Sequence, residues 1–307
     1  MTIAPHARAR SADEPVRSIR IGDVTVHPLV QLHYRVDPAR FFPGVEQWPI
    51  DKDAWYWRAP YLDAGALVID MGGFLVRTPD RVILIDAGVG NGKVRPNPSF
   101  HLRQDDWLGL LARIGVSVED VDTVLFTHLH VDHVGFATTW SEGRWVPTFP
   151  NARYHTTTAE WDYWTSPAAA AEFDRLGDYI SDSISPLQVA GVLELSPPDL
   201  RVTDEVRLVP ASGHTPGNVC VEVRSQGMRA VFAGDMIHHP LQLAFPGRST
   251  DYCIDDRAAT VARGELLRSM GPQDLLFPAH FAGAIPGRVL AEADGAYGFD
   301  PQPGLIV

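Results

Sequence analysis

The sequence contains the segment Thr127-His128-Leu129-His130-Val131-Asp132-His133, directly after the apolar run Val124-Leu125-Phe126. Imidazole and carboxylate groups are the usual protein ligands of zinc and similar first-row ions. A regular strand would point alternate side chains to opposite faces, so these groups can converge only on a turn that follows the strand. The stretch therefore predicts a metal site at the end of a buried strand.

Three more candidate ligands follow, each shortly after an apolar run. His214 comes after residues 208–210, Asp235 after residues 231–232 and His280 after residues 275–277. A single His or Asp at such a place is commonly a cap or a turn residue. Their order after the histidine cluster makes them candidates for the same metal site.

Short β-rich runs bounded by Gly, Pro and Asp alternate with helix-like segments. The strands are predicted at residues 19–26, 66–77, 81–86, 123–127, 153–155, 206–209, 219–224, 229–233 and 275–277. The helices are predicted at residues 105–114, 168–180 and 256–270. This order predicts layered α/β packing, with sheets inside and helices outside. Because no linker separates domains, we expect a single domain over residues 18–307 after a flexible tail of residues 1–17.

Composition limits the function classes. The chain has 307 residues, with 26 Lys and Arg against 38 Asp and Glu, and a formal charge of −12. This acidic balance argues against a nucleic-acid partner, because phosphate contacts need a basic surface. No long apolar run or signal-like start is present, so we expect a soluble, cytoplasmic protein without a membrane partner. Cys220 and Cys253 form no Cys-x-x-Cys pair and are interpreted as core or loop thiols.

Residues 37–63 differ in composition from the rest of the chain. They combine seven aromatic residues with four prolines, which is too aromatic for a solvated loop and too rich in proline for a regular element. Two interpretations stay open. The segment is either an arm packed on its own core or on a second copy in a homodimer, or an aromatic wall over a substrate pocket.

At these positions the chain resembles the metallo-β-lactamase-fold hydrolases, in which a His-x-His-x-Asp-His cluster is followed by a His, an Asp and a last His. The resemblance runs from about residue 19 to the C-terminus. It implies an αββα sandwich, with two mixed sheets inside and helices outside. It also implies two divalent metal ions. Zinc is the metal we expect, although manganese, cobalt or iron also suit such ligands. By the same resemblance, the first ion is held by His128, His130 and His214, the second by Asp132, His133 and His280, Asp235 bridges them, and Asp86 orients ligands from behind.

Single residues distinguish the branches of this superfamily. Most β-lactamases have Ser or Cys where Asp235 stands, and flavodiiron proteins have Glu where His130 stands. Nuclease members add a nucleic-acid-binding arm, which the charge disfavours, and glyoxalase II ends in a basic helical region unlike residues 287–307. The chain is similar to the group of N-acylhomoserine lactonases and methyl parathion hydrolase, notably over residues 234–240, 279–287 and 293–299.

The resemblance to this group implies a dinuclear hydrolase in which a metal-bridging hydroxide cleaves a small lactone, carboxyl ester or phosphotriester. Asp235 and Asp132 are the expected catalytic residues, with Asp132 as the proton donor to the leaving group. The lactonases have a Tyr shortly after the bridging Asp, where this chain has Ile237, His238 and His239, so it departs from the group at that substrate contact. The residues expected to line the substrate pocket are His238, His239, Trp57 and Phe245.

Two alternatives remain open from the sequence. The first is a thioesterase or amidase, similar to glyoxalase II or to a β-lactamase. The second is a binding protein that keeps the fold without turnover, which a complete set of seven ligands disfavours. For the lactone, ester or phosphotriester hydrolase, as for the thioesterase or amidase, the expected partner is a small-molecule substrate.

Overall fold

The structure is a computed structural model and describes residues 5–11 and 14–303. Its strands, in chain order, are β1 (His6–Ala9), β2 (Ile19–Ile21), β3 (Val24–Val36), β4 (Leu62–Asp63), β5 (Ala66–Arg77), β6 (Val82–Ile85), β7 (Thr123–Leu125), β8 (Thr138–Ser141), β9 (Arg144–Pro147), β10 (Arg153–Thr157), β11 (Leu193–Ser196), β12 (Val206–Pro210), β13 (Val219–Ser225), β14 (Met228–Phe232), β15 (Leu275–Phe277), β16 (Gly287–Ala291) and β17 (Tyr297–Pro301). Its α-helices are α1 (Pro38–Phe41), α2 (Gly109–Arg113), α3 (Thr158–Trp164), α4 (Ala170–Leu176), α5 (Ile180–Ser183), α6 (Ser185–Val189), α7 (Leu241–Ala244) and α8 (Asp256–Ser269). None of the helices described has the length and apolar character needed to cross a membrane.

Two large mixed sheets pack face to face. The first has the order β1-β3-β5-β6-β7-β10-β11, with β2 beside β3 and β4 beside β5, and the second has the order β12-β13-β14-β15-β16-β17. Strands β6, β7, β10 and β11 run parallel in the first sheet, and β14 and β15 run parallel in the second. The core between the sheets contains, among others, Ile83, Leu125, Phe232 and Phe277, which are all buried.

Helices cover the outer faces of both sheets. On the first sheet, Leu110 of α2, Trp164 of α3 and Leu187 of α6 belong to one buried apolar cluster. On the second sheet, Leu243 of α7 and Leu267 of α8 belong to another. The layers therefore follow the order αββα, and the predicted fold class is confirmed.

The ends of four strands position the polar residues of interest. Strand β6 ends just before Asp86, β7 just before residues 127–133, β14 shortly before Asp235 and β15 shortly before His280. Strands β6 and β7 are parallel neighbours, as are β14 and β15. Parallel neighbours end at the same edge of a sheet, so both sheets bring their loops to one rim of the sandwich.

The elements differ from the sequence-based expectation where a glycine redirects the chain. Residues 19–26, predicted as one strand, form β2 and the start of β3, separated by a turn at Gly22 with φ of +59°. Residues 168–180, predicted as one helix, form α4 and then α5, because Gly177 ends α4 with φ of +85°. The helix predicted at residues 256–270 is confirmed as α8, with the Asp255 side chain capping its first turn.

The segment expected to be a flexible tail contains a strand. Strand β1 pairs antiparallel with β3, with His6 opposite Arg35 and Ala9 opposite Leu32. The expectation rested on the lack of an apolar run, whereas an edge strand is held by main-chain hydrogen bonds whatever its side chains. Residues 1–4, 12 and 13 of the expected tail lie outside the described residues.

Most of the aromatic segment 37–63 packs on the protein's own core. Phe42 and Trp48 are buried with their rings 5.4 Å apart, and the Tyr61 ring lies 5.8 Å from that of Phe281. Phe41 is also buried, and it reaches the cavity described below. The interpretation as a core-packed arm therefore fits most of this segment, and the interpretation as a pocket wall fits Phe41.

Candidate metal centre

Ring nitrogens of His128, His130 and His214 converge at one buried point. Nε2 of His128 lies 3.0 Å from Nδ1 of His130, and Nε2 of His214 lies 2.8 Å from the same atom. Asp235 Oδ2 lies 3.6 Å from Nε2 of His128 and 3.2 Å from Nε2 of His214. We call these four residues the first ligand group, and their candidate ligand atoms all lie within 4.8 Å of one another.

Asp132, His133 and His280 form the second ligand group, which meets the same 4.8 Å limit. Asp132 Oδ2 lies 3.8 Å from Nε2 of each of the two histidines. Asp235 Oδ1 lies 3.0 Å from Nε2 of His133 and 2.8 Å from Nε2 of His280. The two oxygens of Asp235 therefore face different groups, as a bridging carboxylate requires. All seven residues singled out in the sequence are brought together here.

The partners on the far side of the rings show whether this set fits a metal. Thr127 Oγ1 donates to Asp86 at 2.8 Å, which leaves it to accept from Nδ1 of His128 at 3.1 Å. Nδ1 of His214 faces the sulfur of Cys253 at 3.4 Å. In their neutral forms, both histidines then point an Nε2 lone pair at the same buried place. Lone pairs that converge in a buried site call for a cation, so these residues fit a divalent metal.

The second ligand group is oriented by Asp86 and by the main chain. Asp86 follows β6 with φ of +58°, and its carboxylate accepts from Thr127 N at 2.8 Å. The same carboxylate lies 2.9 Å from Nδ1 of His133. Nδ1 of His280 lies 2.7 Å from the carbonyl oxygen of Asp70. Such contacts fix the ring orientation of a ligand, so the structure places Asp86 behind the ligands, where the family resemblance puts it.

Glu160 was not among the residues expected at the site from the sequence. Its side chain is fully buried, and burial raises the pKa of the carboxyl group while the surrounding donors oppose that shift. The pattern Thr157-x-x-Glu160 is a helix-start signal, and Thr157 does cap α3, so no pattern pointed to a second role for Glu160. Its carboxylate accepts hydrogen bonds from Leu129 N (2.9 Å), Trp164 Nε1 (2.7 Å), Thr215 Oγ1 (2.8 Å) and Gly217 N (2.9 Å). Glu160 thereby ties the turn of residues 127–133 to the turn that carries His214.

Burial and charge act against each other across the centre. Burial lowers the pKa of His128 and His130 well below the usual value. At His133 and His214, burial is outweighed by nearby acidic groups, Asp235 above all, which raise the pKa, to about 9 for His214. Burial disfavours the charge on Asp235, yet the surrounding histidines hold its pKa well below the usual value. Asp235 thus carries a buried negative charge, which the surrounding histidines balance and which a divalent cation would balance as well.

A cavity opens beside both ligand groups. His130, Asp132, Asp235 and His280 line it on the side of the candidate metal centre. Among the described residues that line it, none is Lys or Arg. Its apolar and aromatic wall includes Tyr34, Phe41, Met71, Phe100, Leu176 and Tyr252.

His238 and His239 point to opposite sides of the chain. His238 lines the cavity, with Nε2 at 3.1 Å from Asp235 Oδ2, and burial lowers the pKa of His238 to about 4. His239 is absent from that lining, and its Nε2 lies 3.1 Å from the carbonyl oxygen of Tyr61. The chain bends at these two residues, and neighbouring side chains there face different surroundings.

Trp57 and Phe245, expected near the substrate, do not line this cavity. The Phe245 ring lies 5.7 Å from that of Trp48, and Trp57 is partly buried against the core. Tyr34 and Tyr252 line the cavity instead, and they come from distant parts of the chain. Single aromatic residues carry no spacing signal, so the sequence offered no means of finding them.

The sequence model of the metallo-beta-lactamase superfamily matches residues 73–280, more than half of the chain. The chain belongs to the metallo-β-lactamase superfamily. The resemblance found in the sequence is thereby confirmed. Transcription termination factor FttA of Cenarchaeum symbiosum (strain A) is 34% identical to this superfamily member over 74 residues. That match covers 22% of this chain and 10% of FttA.

Several solved structures share the fold over nearly their whole length. The hydrolase AbOPH of the β-lactamase superfamily superposes with a TM-score of 0.78 at 23% identity, covering 94% of this chain and 98% of AbOPH. AidC, described as a dizinc quorum-quenching lactonase, superposes with a TM-score of 0.72 at 19% identity, covering 94% of this chain and 97% of AidC. A probable metal-dependent hydrolase from Staphylococcus aureus superposes with a TM-score of 0.71 at 19% identity, covering 93% of this chain and 99% of that hydrolase.

Proposed function

We propose that this protein is a hydrolase that depends on two divalent metal ions and cleaves a small, uncharged lactone, carboxyl ester or phosphotriester. Zinc is the metal we expect ahead of the other divalent ions. The observation that carries the proposal is the cavity, which borders both ligand groups and has apolar and aromatic walls. A charged substrate group would lose its hydration there without gaining a basic partner from the described lining residues. The fold is shared with AbOPH, described as a hydrolase, and with AidC, described as a lactonase, which supports a hydrolase and includes lactones among the candidate substrates.

The residues of the two groups divide the work in this proposal. Metal ions bound there would lower the pKa of a bound water toward neutrality and polarise the substrate oxygen. Asp235 would join the two sites through its two oxygens, and Asp86 and Glu160 would keep the ligand turns in place from behind. The residues that would hold the ions are His128, His130 and His214 for one, and Asp132, His133 and His280 for the other.

Asp132 is the residue we assign to proton transfer. Its side chain lines the cavity and is 14% exposed, whereas those of His128 and His133 are almost fully buried. A carboxylate that borders both the candidate metal centre and the cavity can receive a proton and pass it to the leaving group. His238 lines the same cavity and would contact the substrate beside Asp235.

A substrate panel on the zinc-loaded full-length protein tests the proposal. It contains an N-acyl lactone, an aryl ester, a paraoxon-type triester, an acyl thioester and nitrocefin. We expect turnover of at least one of the first three, and slower turnover of an analogue that carries an added carboxylate. Turnover restricted to the thioester or to nitrocefin would replace the proposal with a thioesterase or an amidase, and no turnover at all would refute it.

The bridging role of Asp235 has its own test. Asp235→Ala should bind fewer than two zinc ions per chain and lose activity on every substrate of the panel. Asp251→Ala is a suitable control, because Asp251 is an exposed acidic residue that does not line the substrate cavity. An Asp235→Ala protein with two bound ions and full activity would contradict the assignment.

A further inference from the structure

The rear contact of His214 is unusual among the candidate ligands. Sγ of Cys253 lies 3.4 Å from Nδ1 of His214, while Nε2 of the same ring faces His130 and Asp235. A neutral imidazole carries one proton, so an Nε2 that offers its lone pair to a metal requires the proton on Nδ1. That N–H needs an acceptor, and the sulfur of Cys253 is placed to be one. The thiol therefore sets both the tautomer and the orientation of His214.

Oxygen atoms play this part at the other candidate ligands with such a contact. Nδ1 of His133 lies 2.9 Å from the Asp86 carboxylate, and Nδ1 of His280 lies 2.7 Å from a main-chain carbonyl. Nδ1 of His128 lies 3.1 Å from the hydroxyl of Thr127. Sulfur is a weaker hydrogen-bond acceptor than these oxygens. Among these four histidines, His214 therefore has the weakest rear acceptor.

The backbone keeps the thiol in register with His214. Ile254 N donates to the carbonyl oxygen of His214 at 2.9 Å, and Asp255 N donates to that of Gly213 at 3.0 Å. The segment that carries Cys253 therefore runs beside the turn that carries His214 and leads directly into α8. Because these main-chain hydrogen bonds hold the His214 backbone to the Cys253 segment, a displaced Cys253 side chain pushes on the imidazole ring of His214.

Cys253 is approached from a different side than the substrate. It lines a surface cavity together with Trp48, Arg248, Thr250 and Asp256. This cavity shares no lining residue with the one beside the candidate metal centre. Cys220, the other cysteine of the chain, is fully buried in β13. A thiol reagent can therefore reach Cys253 without entering the substrate cavity.

We propose that Cys253 is a positioning residue for the first ligand group, and that modification of its thiol from the second cavity loosens the hold of His214 on a metal ion. The inference rests on the metal binding of the proposed function. Alkylation by iodoacetamide supplies the modification: the sulfur–carbon bond forms as the carbon–iodine bond breaks, iodide leaves, and the thiol proton passes to solvent. The added amide group needs space behind His214, and the resulting thioether displaces the ring.

Variants of Cys253 test the positioning role through zinc affinity, measured by competition with a chelator. Cys253→Ala should weaken zinc binding by about 10- to 100-fold, the range found when a partner behind a metal ligand is removed. Cys253→Asp should restore the affinity, because a carboxylate is the usual acceptor for a ligand histidine. Cys220→Ala is the matched control and should bind zinc as the wild type does. Wild-type affinity in Cys253→Ala, or equal losses in the Ala and Asp variants, would overturn the proposal.

Labelling of the wild-type protein provides a second measurement that needs no substitution. Iodoacetamide should label one cysteine, Cys253, since burial raises the pKa of Cys220 to about 12 and keeps it from reagent. The labelled protein should bind zinc at least about 10-fold more weakly than the untreated protein. No labelling, or labelling at Cys253 with unchanged zinc affinity, would refute the inference. A wild type that binds no zinc would refute the proposed function as well, so the two failures are distinguishable.

Discussion

Replacing Lys93 with methionine tests a buried charge cluster remote from the candidate metal centre. Nζ of Lys93 donates to Thr138 Oγ1 at 2.8 Å, lies 3.3 Å from Asp182 Oδ1 and stands 3.8 Å over the Trp145 ring. Arg95 lies 2.6 Å from the same carboxylate. The Lys93 side chain has no exposed surface, and burial lowers its pKa from 10.5 to about 7, with Arg95 adding to the shift and Asp182 opposing it.

This lowered pKa makes the free energy of unfolding depend on pH. Between pH 7 and pH 10.5 the unfolded chain keeps the Lys93 proton and the native protein releases it, so the native state gains stability as the pH rises. One pKa unit corresponds to about 1.4 kcal/mol, so the whole range corresponds to about 5 kcal/mol. Between pH 7 and pH 9 the expected gain from this single group is about 2 kcal/mol.

Lys93→Met keeps the length of the side chain and removes the amine that titrates. Urea unfolding at a fixed free zinc concentration should show the wild type gaining about 2 kcal/mol over this variant between pH 7 and pH 9. Lys52→Met is the control, because Lys52 is the chain's other lysine and is exposed, so its difference from the wild type should stay constant. If the Lys93→Met difference is also constant, the reasoning from burial is refuted.

Three further substitutions probe other contacts. Glu160→Gln turns an amide toward main-chain N–H groups that now donate to a carboxylate, and it should weaken zinc binding by about 10- to 100-fold in chelator competition; unchanged affinity would contradict its role. Asp255→Ala removes the side-chain cap of α8 and should lower the free energy of unfolding in urea by about 1 kcal/mol; an unchanged value would show that the cap does not stabilise the helix. Gly135→Ala would place a Cβ 1.9 Å from the carbonyl carbon of Val89, so its Tm should fall sharply, and a wild-type Tm would show that the backbone yields there.

The candidate ligands could be predicted because their signal is local. Four of them, from His128 to His133, lie within six residues after an apolar strand, and each remaining ligand shortly follows another apolar run. The same local character explains the success with layered α/β packing, since strand and helix signals extend over short windows. The αββα order of the layers was implied by the family resemblance. The convergence of these side chains was thus predictable from residue types and spacing, together with the family resemblance.

The partners of the ligands could not be predicted, because tertiary packing brings them from distant positions. Glu160 lies 57 residues from Gly217, and Cys253 lies 39 residues from His214, with no pattern that links them in sequence. His238 and His239 are adjacent histidines in the sequence, and only the packed structure shows that His238 faces the cavity while Nε2 of His239 lies beside the carbonyl oxygen of Tyr61. The cavity wall depends in the same way on contacts that only the packed layers create.

The spacing of the ligands also orders the events of synthesis. His214 follows His130 by 84 residues, and His280 contacts Asp70 across 210 residues. At a translation rate of about 5 to 20 residues per second, His280 is added about 7 to 30 s after His133. During that interval the candidate ligands already synthesised are those at residues 128–133, joined later by His214 and Asp235. The complete set of seven candidate ligands thus exists only once β15 has been made. A metal ion bound earlier at residues 128–133 would lack its last ligand, His280, while the second sheet is still being synthesised.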